Sequence, residues 1–265
     1  MSDSSPRPSR KDATAARIYD YYLGGVHNFP ADREAADVVV KAYPFIIEAA
    51  RANRAFVVNA VRHLAESGIR QFLDIGSGLP TVDNVHSVAR RVHPGARVAY
   101  VDIDPMAVAE SMYLLDGDDL AVAVRGDVRE PRAVVADTQV RRLLDFDEPI
   151  GVILAAVLHF VPEHPVADEA VATLIGSVAP GSRFVISHSA TESFRQFTGP
   201  EDVYRQRTTT PGTVRTHAEV ERLFTGLELC DPGVVWAQDW RPGAAAERVA
   251  EVSAGGVWAG VGRKP

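Results

Sequence analysis

The chain has 265 residues, 46% of them hydrophobic and 24% charged, the proportions of a soluble globular protein and not of a disordered one. At about 150 residues per domain, that length predicts one α/β core with an accessory segment. A net charge of −7 argues against broad binding to nucleic acid or an anionic membrane, and the single Cys230 excludes a disulfide framework and suits a reducing cytoplasm.

Residues 1–12 are rich in Ser, Pro and Arg without an apolar stretch, so a flexible tail is expected and a secretory signal is not. Residues 13–68 read as helices separated by breakers. Ala13–Leu23 stops at Gly24-Gly25, Asp32–Ala42 follows the Phe29-Pro30 turn, and a third helix opens near Pro44. That helix repeats Phe45, Ala49, Ala52, Phe56 and Ala60 on one face and ends at Gly68. Only Lys11, Lys41 and Lys264 are lysine, which reads as the codon bias of a high-GC bacterial genome and not as mechanism.

From residue 69 onward, short apolar strands alternate with amphipathic helices. Strands are predicted at Gln71–Ile75, Arg97–Val101, Ala121–Arg125, Ile150–Ala156, Ser182–Ser187, Val234–Gln238 and Val257–Val261. Helices are predicted at Asn84–Val92, Pro105–Leu115, Pro131–Leu144, Ala167–Val178 and His217–Phe224. Near-continuous apolar strands require a mostly parallel sheet covered on both faces, that is, a doubly wound α/β fold. The last two strands lack a clear crossover helix and are expected to pair antiparallel. The longest apolar run, Gly151–Val161, is far short of the ~20 residues that span a bilayer.

The chemistry concentrates at strand ends. Phe72-Leu73-Asp74-Ile75-Gly76-Ser77-Gly78 delivers an acidic residue and then two glycines, which let the backbone turn sharply and approach a ligand. Glycine serving turn geometry alone is the competing reading. Thr81 stands where a dinucleotide fingerprint wants a third small residue, which disfavours a nicotinamide cofactor. The second strand ends at Asp102, whose carboxylate could accept two ribose hydroxyls, and the third leads into Gly126-Asp127-Val128. If these strands are neighbours, Asp74, Asp102 and Asp127 line one sheet edge at lateral spacings of ~4.8 Å. Asp104 is expected to cap the next helix, and Thr216-His217-Ala218-Glu219 forms a capping box.

These motifs resemble, in order and spacing, those of class I S-adenosylmethionine-dependent methyltransferases. More narrowly, Arg17-Ile18-Tyr19-Asp20-Tyr21-Tyr22-Leu23-Gly24-Gly25, Asn28-Phe29, Asp32-Arg33, Ala52-Asn53-Arg54-Ala55-Phe56 and the Gln71–Thr81 stretch resemble a bacterial family long catalogued as a domain of unknown function, then named S-adenosyl methyltransferase. The resemblance implies a Rossmann-like methyltransferase domain over 69–265 with an N-terminal helical lid over 13–68. It implies S-adenosylmethionine as cofactor, with Gly76 and Gly78 beneath the methionine part, Asp102 at the ribose hydroxyls, and Asp74, Ser77 and Ile103 among the binding residues. Asp127 and Val128 would meet the adenine and Ala155 the end of the fourth strand, with Tyr19, Tyr22 and Gly25 folding over the whole.

At the fourth strand Ala155-Ala156 replace the acidic or polar residue usual in that class, leaving His159 as a candidate base with His188 beside it after the fifth strand. Structural packing is the alternative for both, and simple loop exposure for His27. No histidine pair has metal-ligand spacing, and Ser189–Arg215 is a candidate acceptor lid. The reading is a cytoplasmic methyltransferase acting on a small-molecule acceptor. A metal-dependent nucleotide-sugar glycosyltransferase using Asp102 and Asp104, or a non-catalytic S-adenosylmethionine-binding protein, are its competitors.

Overall fold

The computed structural model describes residues 13–79, 83–194, 212–241 and 256–265. The expected tail over 1–12 and most of the expected acceptor lid fall outside them.

Five parallel strands make the centre of the sheet: β1 (Gln71–Ile75), β2 (Arg97–Asp102), β3 (Ala121–Arg125), β4 (Gly151–Ala155) and β5 (Arg183–Ser189). Their spatial order is β3-β2-β1-β4-β5. The chain therefore winds outward through β2 and β3, returns across β1, and winds the other way through β4 and β5. That reversal opens a crevice at the carboxyl ends of β1 and β4, where ligands bind in sheets of this kind. All five residues of β1 are buried, the signature of a strand covered on both faces.

Strands β6 (Glu228–Leu229) and β7 (Val235–Trp236) are two residues each and pair antiparallel with β8 (Val257–Arg263), which lies antiparallel to β5. The antiparallel pairing of the last two predicted strands is thus present, although Val234–Gln238 shrinks because the chain enters a 3-10 turn at Ala237–Asp239. β6 was not anticipated: two exposed residues leave no alternation to read.

The helices are α1 (Ala15–Tyr22), α2 (Pro30–Ala42), α3 (Ile46–Glu66), α4 (Val85–Val92), α5 (Pro105–Leu114), α6 (Pro131–Ala136), α7 (Thr138–Leu143), α8 (His164–Ser177), α9 (Thr191–Phe194) and α10 (His217–Arg222). The predicted single helix Pro131–Leu144 divides at Asp137, whose side chain accepts the Gln139 and Val140 N–H groups and so starts a new helix. On one face of the sheet, Val134, Val140, Leu158, Val171 and Leu174 pack against Leu73, Val152 and Phe184. On the other, Phe56, Ala60, Val61 and Leu64 of α3 pack against Phe72, Ile153, Val185 and Val261. α3 therefore belongs to the helix layer of the sheet, while α1 and α2 close a small core of their own around Ile18, Tyr22, Ala36, Val39 and Tyr43.

One carboxylate organises that small core. Asp32 is fully buried and accepts the Thr14 N–H at 3.1 Å, Arg17 Nε at 2.8 Å and the Phe29 N–H at 2.8 Å. It thereby starts α2 two residues earlier than the sequence reading placed it and locks α1 against it. Asp32→Ala would leave the Arg17 charge buried without this partner, a loss of about 3–5 kcal/mol that should appear as a lowered urea midpoint. A loss below ~1 kcal/mol would show that the two helices are held by packing alone.

Candidate active site

β1 ends at Ile75, and the next two N–H groups, of Gly76 and Ser77, both donate to the Val101 carbonyl at 2.7 and 3.2 Å. Gly76 has φ +75°, and a Cβ there would lie 2.3 Å from Val157 Cγ2. Glycine is required at that position both for its conformation and for its size. Gly78 has φ +63°, and a Cβ added there would meet only the Ala16 methyl of α1, at 4.0 Å. The first helix, α1, thus stands beside the glycine turn.

Asp102 closes the turn from the neighbouring strand. Its Oδ2 accepts the Gly78 N–H at 2.7 Å and its Oδ1 the Asp104 N–H at 2.8 Å. Each oxygen keeps a second lone pair, so the carboxylate can pin the turn and still accept from a ligand. Burial raises the pKa of Asp102, and its backbone donors oppose that rise. Asp74 is pushed up to about 7 by burial, with the Arg54 guanidinium pulling down and Asp102 pushing up. Asp74, Ser77 and Gly78 line one cavity together with Arg54, His86 and Tyr100.

The remaining predicted cofactor residues are more dispersed. Ile103 is 45% exposed beside Asp102, and Val128 is buried in the core beyond β3. Asp127 is held by Arg129 at 2.5 Å, which keeps its carboxyl below the usual range despite partial burial. Asp104 caps α5 by accepting the Met106 N–H, so its role is local. Tyr22 is packed in the small core of α1 and α2, and a Cβ on Gly25 would overlap the Asp20 carboxylate. Both therefore have structural tasks of their own in the cap. His27 pairs with Glu110 of α5 at 3.1 Å, which replaces simple loop exposure.

Tyr19 is tied to the sheet by a chain of hydrogen bonds. The Ala156 N–H donates to Ser187 Oγ at 3.0 Å, and Ser187 Oγ donates to Asn53 Oδ1 at 2.6 Å. Asn53 Nδ2 donates to the Tyr19 hydroxyl at 2.9 Å, which donates to the Ala50 carbonyl at 3.0 Å. Every member donates in the same sense, which fixes the amide orientation of Asn53. Burial raises the pKa of Tyr19 and keeps its donor proton in place. The relay ends at Ala156, whose φ of +53° is uncommon for a residue with a Cβ and marks the turn after Ala155.

His159 sits in the 3-10 turn Leu158–Phe160, with Nδ1 3.3 Å from Ser189 Oγ. Burial, aided by the Arg215 charge, lowers its pKa to about 3, so it is neutral at pH 7. His188 is fully buried, with Nδ1 2.9 Å from the Ser189 carbonyl and Nε2 against Arg215 Nη1. A carbonyl only accepts and a guanidinium only donates, so Nδ1 carries the proton and Nε2 accepts. With both nitrogens committed, His188 supports Arg215 and is no proton acceptor. Arg215 in turn donates to the Leu158 and Val161 carbonyls and so holds the turn that carries His159.

A family model described as S-adenosyl methyltransferase matches residues 3–265. The chain belongs to that family. A solved protein from Thermobifida fusca YX classed among methyltransferases is 39% identical, with a TM-score of 0.89 over 96% of each chain. A DUF574 family protein from Streptomyces avermitilis MA-4680 is 37% identical, with a TM-score of 0.90 over 97% of this chain and 99% of that one. The N-methyltransferase NodS of Bradyrhizobium japonicum WM9, at 14% identity and a TM-score of 0.50 over 84% of this chain and 97% of that one, shares the fold. No curated protein matches the sequence.

This S-adenosyl methyltransferase therefore uses S-adenosylmethionine, and its strand ends fit that molecule: a carboxylate with spare lone pairs at Asp102, and a turn at Gly78 with space above it. Two residues of the site stayed hidden in the sequence reading except as parts of a family motif. Asn53 and Arg54 lie on α3, where the apolar stripe dominates the pattern and nothing local signals that these two face the sheet edge.

Two measurements check the site. A carboxyl whose pKa is raised on folding holds its proton in the native state while the unfolded chain releases it near 3.8. Stability should therefore fall as pH rises from about 4 to about 7, and Asp74→Asn should flatten that slope. Asn53→Leu should leave Ser187 and Tyr19 short of a partner, cost about 1–3 kcal/mol, and speed hydrogen exchange across Arg17–Phe29. Unchanged exchange there would show that α1 docks without the relay.

Proposed function

We propose that this methyltransferase acts on a small-molecule acceptor whose attacking atom needs no general base to remove a proton before attack. In this reading the carboxyl edge of β1, β2 and β3 holds the cofactor and the turns after β4 and β5 face the acceptor. The observation that carries it is the convergence of Asp74, Gly78 and Asp102 at the point where the strand order reverses.

S-adenosylmethionine supplies an electrophilic methyl group on a sulfonium, which an acceptor displaces in line. The protein's contribution is then to hold, orient and exclude water. Asp102 takes the ribose hydroxyls with the lone pairs that Gly78 and Asp104 leave open. Asp74 is ionised when an ammonium group lies against it, because a neighbouring positive charge offsets the burial that otherwise keeps its proton. Ile103 and Val128 supply apolar surface for the adenine, with Asp127 at the rim, and Ala155 leaves room at the end of β4. Tyr19 acts through the relay, by keeping α1 beside the glycine turn.

An imidazole that protonates near pH 3 is a poor sink for a proton, since a general base works best with a pKa near the working pH. His159 is accordingly assigned to positioning, as a neutral hydrogen-bonding group facing the acceptor. This favours acceptors that need no deprotonation before attack. The net charge of −7 and the cap beside the glycine turn favour a small acceptor over nucleic acid. No described helix is long and apolar enough to cross a membrane, and the single cysteine suits the cytoplasm.

Isothermal titration with S-adenosylmethionine tests the cofactor side. Asp102→Ala should weaken binding by about 100-fold or more, the worth of two hydrogen bonds to an ionised acceptor. Wild-type affinity in that variant would remove Asp102 from the site, whereas His159→Ala should leave cofactor affinity unchanged.

A further inference from the structure

α3 turns Ala49, Ala52, Phe56 and Ala60 into the core, and Arg54 stands off that stripe, toward the end of β1. It lines the cavity formed by Asp74, Ser77, Gly78 and Tyr100. Among the described residues lining that cavity it is the single arginine or lysine. Its charge lowers the proton affinity of two lining groups, Asp74 and Tyr100, and of Tyr19 on α1. One of its nitrogens, Nη2, donates to the Asp83 carbonyl at 2.7 Å, which helps to orient the guanidinium.

A guanidinium has five N–H donors in a rigid fork, and its preferred partner is a carboxylate held by two parallel bonds. S-adenosylmethionine carries two positive groups, the sulfonium and the ammonium, and one anion, the carboxylate at the tip of its amino-acid end. A lone cation beside the glycine turn is repelled by the first two and attracted by the third. With Asp74 in the same cavity, the wall offers one carboxyl group and one guanidinium within electrostatic reach of each other. That is the complement of an ammonium and a carboxylate borne on one carbon.

We infer that Arg54 binds the carboxylate of the cofactor's amino-acid end, an assignment that rests on reading this cavity as the S-adenosylmethionine site. Arg54 is then a residue that discriminates among adenosyl sulfonium compounds, selecting those that retain the amino-acid carboxylate.

Decarboxylated S-adenosylmethionine lacks that one group and keeps the sulfonium, the ammonium and the nucleoside, so calorimetric titration of both ligands isolates the contact. The full-length wild-type chain should bind S-adenosylmethionine about 10- to 100-fold more tightly than the decarboxylated compound. Arg54→Gln should lose that preference, by weakening S-adenosylmethionine and leaving the decarboxylated compound unchanged. Arg54→Lys keeps the charge without the fork and should retain part of the preference. Equal weakening of both ligands in Arg54→Gln would show a merely structural arginine, and no preference in the wild type would overturn the assignment without need of any variant. A wild-type chain that binds neither compound overturns the cofactor reading of the cavity, and the Arg54 assignment with it.

Discussion

The buried amide of Asn53 is the constraint on which the arrangement of this molecule turns. It is the point where a helix of the sheet layer, the fifth strand, the turn after the fourth strand and the first helix of the cap all meet through hydrogen bonds. A buried amide must satisfy both ends or cost stability, so the cap cannot lift from the sheet without orphaning groups on both sides. α1 is thereby seated beside the glycine turn by the same interaction that supports the positive φ of Ala156. The turn after the fourth strand and the first helix of the chain are held in register by one side chain.

Electrostatics follow from that closure. Burial at the carboxyl edge leaves Asp74 and Asp102 with a weakened hold on their charge, and the structure answers in two ways: backbone donors for Asp102, and the nearby guanidinium for Asp74. At the turns after β4 and β5 burial acts on imidazoles instead and keeps them neutral. The crevice thus has one wall able to carry negative charge and another that stays uncharged. Such a division suits a cationic donor and a neutral or self-ionised nucleophile.

Much of this was legible in residues 71–128, because a strand, an acidic end and a glycine turn are local features. The parallel sheet, its strands to within a residue or two, the capping roles of Asp104 and Thr216, and the coming together of Asp74, Ser77, Gly78 and Asp102 all follow from such patterns. What stayed hidden depends on partners distant in sequence. His188 looked like a catalytic candidate because Arg215, 27 residues later, could not be seen to cap its Nε2. The reason for glycine at position 25 was hidden because the carboxylate it makes room for, Asp20, declares itself only when the helix turns. α3 read as part of a lid because an apolar stripe says that a helix is buried and not against which surface.

The missing Cβ of Gly76 has a consequence for how this molecule can change. Val157 fills the space a side chain would take, so the turn after β1 and the turn after β4 interlock through van der Waals contact. Neither can be remodelled alone: a larger residue at 76 demands a smaller one at 157, and even then meets a positive φ that only glycine adopts freely. Divergence toward new acceptors is therefore channelled away from the glycine turn and its neighbour. Positions from His159 outward lie beyond that interlock, in a 3-10 turn held by Arg215 instead, and so answer to a different constraint.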